Sequence, residues 1–93
     1  MVKLRLIREH FRRAWRAYKR GERPYMVCPI AQAAIDKFGD CSFAAALSVH
    51  TSKGVFNLSS TIPGRFDRDW KMGADKIYNE CRNELEIILR PKP

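Results

Sequence analysis

The apolar residues of this chain change their period at Ile7. Before it, Val2, Leu4 and Leu6 alternate with Lys3 and Arg5 across VKLRLI, the period of a half-buried strand. After it, Ile7, Phe11, Ala14, Trp15 and Tyr18 fall at i, i+4, i+7, i+8 and i+11, one apolar stripe of a helix. A chain that opens with a strand and turns at once into an amphipathic helix commits to a mixed architecture, and the remainder keeps mixing.

The first helix is expected from about Arg8 to Arg20, stopping at Gly21, with Arg16, Lys19 and Arg20 near the C-terminus where cations suit the helix dipole. GERPYMV reads as a connector holding Gly21 and Pro24. CPIAQAAIDKFG reads as a second helix, with Pro29 at its first position, Ile30, Ala33, Ala34 and Phe38 on one face and Gly39 as C-cap. Its alanines predict close packing on a neighbour. CSFAAALSVHTSKGVFNLSS reads as a hairpin: Phe43, Ala45, Leu47 and Val49 alternate before a TSKG turn, Phe56 and Leu58 after it. TIPG, with Pro63 and Gly64, punctuates again. A long helix from about Arg65 to Arg82 follows, with Phe66, Trp70, Gly73, Ala74, Ile77 and Cys81 as its stripe. Glycine inside a helix costs about 1 kcal/mol against alanine, so another element is expected to approach closely at Gly73. Leu85, Ile87 and Leu89 alternate with Glu84 and Glu86 in a last strand, and Lys3 and Arg5 would complement those glutamates if the first and last strands pair. The order is β-α-α-β-β-α-β. It predicts an α+β single domain over residues 1–93, with one mainly antiparallel sheet and helices mostly on one face.

At 93 residues, the length suits one domain with a modest core. No apolar run approaches the roughly 18 residues that span a membrane, and MVKLRLIREHF turns charged where a signal peptide needs an apolar stretch. A cytoplasmic location without a membrane partner is the expectation. Cys28, Cys41 and Cys81 are odd in number and lack a C-x-x-C spacing, so neither a disulfide framework nor a zinc site is indicated. Core packing is their ordinary role.

The formal net charge of +8 is concentrated. Residues 1–23 carry nine Lys or Arg against Glu9 and Glu22, while residues 24–93 carry nine against eight acids. Arg8, Arg12, Arg16, Lys19 and Arg23 form a stripe opposite Phe11, Trp15 and Tyr18, flanked by Arg13 and Arg20. These seven are the candidate binding residues. Like charges at i, i+4 repel by roughly a few tenths of a kcal/mol each, and a helix serving only solubility would mix signs. Arginine's planar fork suits phosphate or carboxylate. The partner is therefore expected to be anionic, either nucleic acid held through its phosphates or an acidic surface of a protein complex. A solvated face is the competing account. Trp15 and Tyr18 could stack on bases, but they fall on the expected core face. RNP, KH and zinc-finger patterns are absent, and the connector is too long for a helix-turn-helix.

Cys28 offers the best case for catalysis, since it precedes Pro29 at a helix N-terminus, where a thiol pKa falls. His10 or His50 could serve as base, oriented by Asp36, Asp40 or Asp67. Any chain with three Cys and two His offers such a trio, however, and the apolar YMVCPIA run points to burial. Asp67 and Asp69 beside Arg68 read as surface ion pairs. Cys28, Cys41, Cys81, His10 and His50 follow no metal-ligand spacing, and no glycine-rich phosphate loop is present. No enzyme activity, cofactor or metal is expected.

Glu9, His10 and Phe11, then Cys28, Pro29, Ile30, Ala31 and Ala33, then Ile62 and Pro63, and finally Phe66 and Asp67 resemble a pattern of small bacteriophage-encoded accessory proteins. In these, a short strand and an E-H-hydrophobic start precede a C-P-[IV]-A-x-A helix, two strands, an I/L-P turn, a helix with F-D and a final strand. The likeness spans nearly the whole chain through short motifs. It implies a non-enzymatic phage accessory protein that binds and blocks host machinery, including CRISPR and other nucleic-acid-handling defence complexes, in the host cytoplasm. A direct nucleic-acid-binding regulator and a small cysteine-dependent enzyme are the alternatives. The first helix here is longer and far more basic than the pattern requires.

Overall fold

A computed structural model describes residues 2–45, 48–58, 69–82 and 85–92, with the backbone alone described at Ala45. β1 (Val2–Arg5) passes directly into α1 (Arg8–Lys19), so the change of period at Ile7 is a strand-to-helix junction. A short α2 (Pro24–Val27) and α3 (Pro29–Phe38) follow. Next come β2 (Phe43–Ala45), β3 (Ser48–Thr51) and β4 (Gly54–Leu58). A 3-10 turn (Trp70–Met72), α4 (Ala74–Cys81) and β5 (Glu86–Pro91) complete the order. The strands form one antiparallel sheet, β1-β5-β4-β3-β2. This is the α+β architecture that the order of periodic segments predicts.

The last strand lies inside the sheet, between the first and the fourth. Leu4 stands opposite Ile87, Val2 opposite Leu89, and Leu58 opposite Leu89 from the other side. Leu4, Ile87 and Leu89 are buried, whereas Lys3, Arg5 and Glu86 on the other face are exposed. The expected charge match holds across that face: Arg5 is opposite Glu86, and Lys3 Nζ lies 3.9 Å from the Glu86 carboxylate. α1 packs on α3 and α4, and α3 packs on β1, β2 and β3. The core joins Phe11, Ala14 and Ala17 to Ala31, Ala33, Ala34, Val49, Phe56, Trp70 and Ile77. The buried alanines of α3 allow the close packing expected of them.

Helix ends follow the sequence signals. At the end of α1, Gly21 N–H donates to the Tyr18 carbonyl at 3.0 Å and Glu22 N–H to the Ala17 carbonyl at 3.2 Å. With Gly21 at φ 94°, this is a Schellman closure, which favours glycine because a Cβ resists the left-handed region. Pro29 opens α3 and Gly39 closes it, also at φ 94°.

Four expectations need correction. GERPYMV is more than a connector, since Pro24–Val27 form α2, and Arg23 is the N-cap of that helix rather than part of the α1 stripe. The Phe43–Val49 stretch supplies two strands instead of one, since Ala44 pairs with Val49 and Phe43 with His50. The expected long helix up to Arg82 is interrupted at Gly73, which is extended (φ 162°, ψ 116°) between the 3-10 turn and α4. A Cβ at Gly73 would meet only the Lys76 side chain, at 4.0 Å, so Gly73 breaks a helix and does not admit a close neighbour. The α1 stripe is also rotated. Its buried residues are His10, Phe11, Ala14 and Ala17, with Trp15 and Tyr18 partly buried on the flank and Ile7 48% exposed as N-cap. Leu47, Glu84, the TIPG turn with Ile62, and the expected helix start with Arg65, Phe66, Asp67 and Arg68 lie outside the described residues.

Phe11→Ala is expected to cost about 3–5 kcal/mol as a large-to-small core change, a large share of the roughly 5–15 kcal/mol that holds a domain folded. Ile7→Ala should stay within about 0.5 kcal/mol, as surface substitutions do. Urea midpoints at unchanged slope separate the two; a cost at Ile7 matching that at Phe11 would contradict the rotated stripe.

Candidate functional site

The sequence crowds cations along α1, and the fold surrounds them with partners. Arg8 Nη2 donates to Asn79 at 3.2 Å and its guanidinium lies 5.1 Å from the Tyr78 ring centroid. Arg12 grips Asp75 of α4 with two bonds, Nε to Oδ1 at 2.9 Å and Nη2 to Oδ2 at 3.1 Å. Arg16 reaches back to Glu9 at 2.6 Å, Arg20 pairs with Glu22 at 2.9 Å, and Arg23 donates to the Tyr25 hydroxyl at 2.8 Å. Lys19 Nζ lies 5.3 Å from the centre of the Trp15 ring. These six cations share three carboxylates, and each sits in a defined orientation.

Arg13 behaves differently. Its Nη2 donates to the Gln32 carbonyl and lies 3.0 Å from the Asp36 carboxylate, so it turns toward α3 and is less exposed than the rest (31% against 44% for Arg12, 51% for Arg16 and 65% for Arg20). Asp36 also accepts from His10 Nε2 at 2.8 Å. The Ile7 backbone N–H can only donate, at 3.0 Å, which makes Nδ1 the acceptor and leaves Nε2 to carry the proton. The buried His10 therefore fixes the start of α1 and ties it to α3. Burial pushes Asp36 up, but the hydrogen bonds from His10 and Arg13 and the charge on Arg13 outweigh it, holding the carboxyl below its ordinary value. The Arg12 hydrogen bond likewise lowers Asp75, and the Arg16 hydrogen bond lowers Glu9.

Two clefts flank α1. One, of about 380 Å³, is lined by Arg12, Trp15, Arg16, Gly73, Ala74 and Asp75 toward α4. The other, of about 310 Å³, opens toward α2 and α3 between Arg13, Arg16 and Arg20 and the side chains of Met26, Val27 and Ile35. Arg16 lines both. The Trp15 indole Nε1 and the Arg13 Nε are buried donors with no hydrogen-bond partner among the described residues. Trp15 and Tyr18 pack against the core rather than standing free, with Tyr18 edge-on to Trp70 at 5.8 Å.

The structure places Cys28 at the start of α3. Cys28 is buried, its Sγ accepting from the Ala31 N–H at 3.4 Å as N-cap of α3 and donating to the Ala44 carbonyl at 3.9 Å. Asp36, the carboxylate that His10 bonds, stands eight helical residues along α3, about 12 Å at 1.5 Å per residue. His50 stacks on Phe43 at 4.0 Å, on the sheet face opposite Val49. Asp40 accepts from Ser52 across the loop, 3.1 Å from the backbone N–H and 2.5 Å from the hydroxyl. No group of three or more His, Cys, Asp or Glu able to hold a metal occurs among the described residues, nor does any helix among them have the length and apolarity to cross a membrane. Comparison with protein-family models, curated proteins and solved structures returned no match.

Two outcomes are expected. Burial, then the Asp40 charge, pushes the Cys41 thiol up to about 11, and Cys28 and Cys81 are buried. Iodoacetamide at neutral pH should therefore label all three thiols slowly in the folded protein and quickly in urea, by mass spectrometry; fast labelling of native Cys28 would revive a nucleophile. Because Asp36 is lowered on folding, its contribution is present above the unfolded carboxylate value and is lost as pH falls through the folded one. Asp36→Asn should flatten the acid limb of the stability profile below about pH 4, and a variant profile parallel to the wild type would show that the Asp36 contacts do not form.

Proposed function

We propose that the protein is a non-enzymatic accessory protein of phage type that occupies an anionic surface on host machinery, with α1 as its docking element. One observation carries this: five cations along α1, with Arg20 at its C-cap and Arg23 at the start of α2, each held in place by a partner weak enough to exchange. Exposed ion pairs are worth about 0–1 kcal/mol, so the carboxylate on Arg12, Arg16 or Arg20 can give way to one supplied from outside at small cost. Their present partners fix the guanidinium positions and reduce the ordering that association requires.

The likeness to phage accessory proteins supports the choice of host machinery as target. Direct binding of nucleic acid is the second reading, favoured by the preponderance of arginine. It makes a distinct demand: duplex affinity should fall with salt at a log–log slope of about −0.9 per phosphate contacted.

Arg12→Glu with Arg16→Glu should abolish recovery of the partner from host lysate, while Lys53→Glu, in the β3–β4 turn, should not. Asp75→Asn frees the Arg12 fork without removing a cation and should tighten binding in titration calorimetry. Survival of the captured complex after nuclease treatment assigns a protein target, and its loss assigns nucleic acid. Unchanged recovery by the double variant would return α1 to a merely solvated face.

A further inference from the structure

The cleft between α1, α2 and α3 has a composition that selects among anionic partners. Its α1 wall carries Arg13, Arg16 and Arg20, and Met26, Val27 and Ile35 provide apolar surface opposite. Among the described residues, Glu22 is the one carboxylate in its lining, and no aromatic ring contributes. Nucleic acid bound without a duplex groove relies on aromatic faces for its bases, and none lines this cleft among the described residues. A run of guanidiniums beside aliphatic surface instead matches an acidic peptide with an apolar anchor. We propose that this cleft is the docking site for an extended acidic segment of a protein partner, with one apolar side chain seated against Met26 and Ile35. The inference rests on α1 as the docking element and names its occupant.

Four further observations support it. The cleft, about 310 Å³, lies at the lower end of the range of ligand sites and has room for a large side chain. Met26 is 46% exposed at the cleft, and methionine adapts its shape to what packs on it. Arg20 is 65% exposed, so its guanidinium is open to an incoming carboxylate. Finally, Arg13, Arg16 and Arg20 stand at i, i+3 and i+7, about 10 Å along the helix axis. Three residues of extended chain cover that length at about 3.3 Å each. The footprint is thus a short segment in which Asp or Glu flanks the anchor, its two carboxylates exchanging with Glu9 and Glu22 for Arg16 and Arg20.

The test is selection from a degenerate dodecapeptide display library on the immobilised full chain, followed by fluorescence anisotropy of the enriched peptide. The expected result is a consensus with Asp or Glu on both sides of an apolar residue. Met26→Glu and Arg20→Glu should each weaken that peptide at least tenfold while circular dichroism stays unchanged, and Lys53→Glu should leave its affinity within twofold. A consensus without acids, no enrichment, or a peptide insensitive to both substitutions overturns the proposal. So does binding of a random single-stranded DNA 30-mer that is lost in Arg20→Glu when no peptide is enriched. If the Arg12→Glu, Arg16→Glu pair still loses the lysate partner while the selection fails, only the cleft is removed and the reading of α1 stands.

Discussion

The structure depends on the pairing of its two ends. β5 enters between β1 and β4, and the apolar pairs Leu4–Ile87, Val2–Leu89 and Leu58–Leu89 form the floor of the core. Everything above that floor is set by it. β1 runs without a loop into α1, so the position of β1 in the sheet fixes where the basic helix begins. The bond from the Ile7 N–H to His10 then orients its first turn, and His10–Asp36 joins that turn to α3. A chain closed in this way needs long-range contacts before it gains stability, because loop closure must precede the pairing of residues so far apart in sequence.

The crowding of cations on α1 would be a defect in an isolated helix. In the fold it is relieved by carboxylates from four places: Glu9 within the helix, Glu22 just beyond it, Asp36 on α3 and Asp75 on α4. These pairs do more positioning than stabilising, since exposed ion pairs contribute little. Their consequence is geometric. Arg12 reaches toward α4, Arg13 toward α3, and Arg16 stands on the crest that borders both clefts. One continuous stripe in the sequence thereby becomes two differently composed surfaces, one beside an indole and a helix start, the other beside Met26 and Ile35.

Much of the candidate site was legible in the sequence, and what was missed has identifiable causes. Charge spacing alone places Arg8, Arg12, Arg13, Arg16 and Lys19 on α1, but Arg20 caps the helix and Arg23 begins α2. It does not place their partners, because Arg12–Asp75 and Arg13–Asp36 join residues 63 and 23 positions apart with no local pattern to link them. The Met26 surface was hidden because GERPYMV has the composition of a connector; only Pro24, suited to a first helical position, hinted at α2. The rotation of the α1 stripe escaped because Ile7 counts as apolar in any periodicity yet serves here as the exposed N-cap, while His10 counts as polar and is buried by a partner 26 residues away.

Local chemistry decided the rest that was readable: the strand-to-helix switch at Ile7, the closures at Gly21 and Gly39, the start at Pro29 and the alternation that makes β5 a strand. These depend on the period of side chains along a backbone and on which residues tolerate a given φ, and both are written in a few consecutive positions. Tertiary structure alone decided that β5 lies at the sheet's interior, that Phe43–Val49 divides into two strands, that Gly73 breaks a helix and that Cys28 stands about 12 Å along α3 from the His10–Asp36 pair. Those outcomes turn on which surfaces exclude water together, a property of pairs distant in the chain. No segment carries it alone.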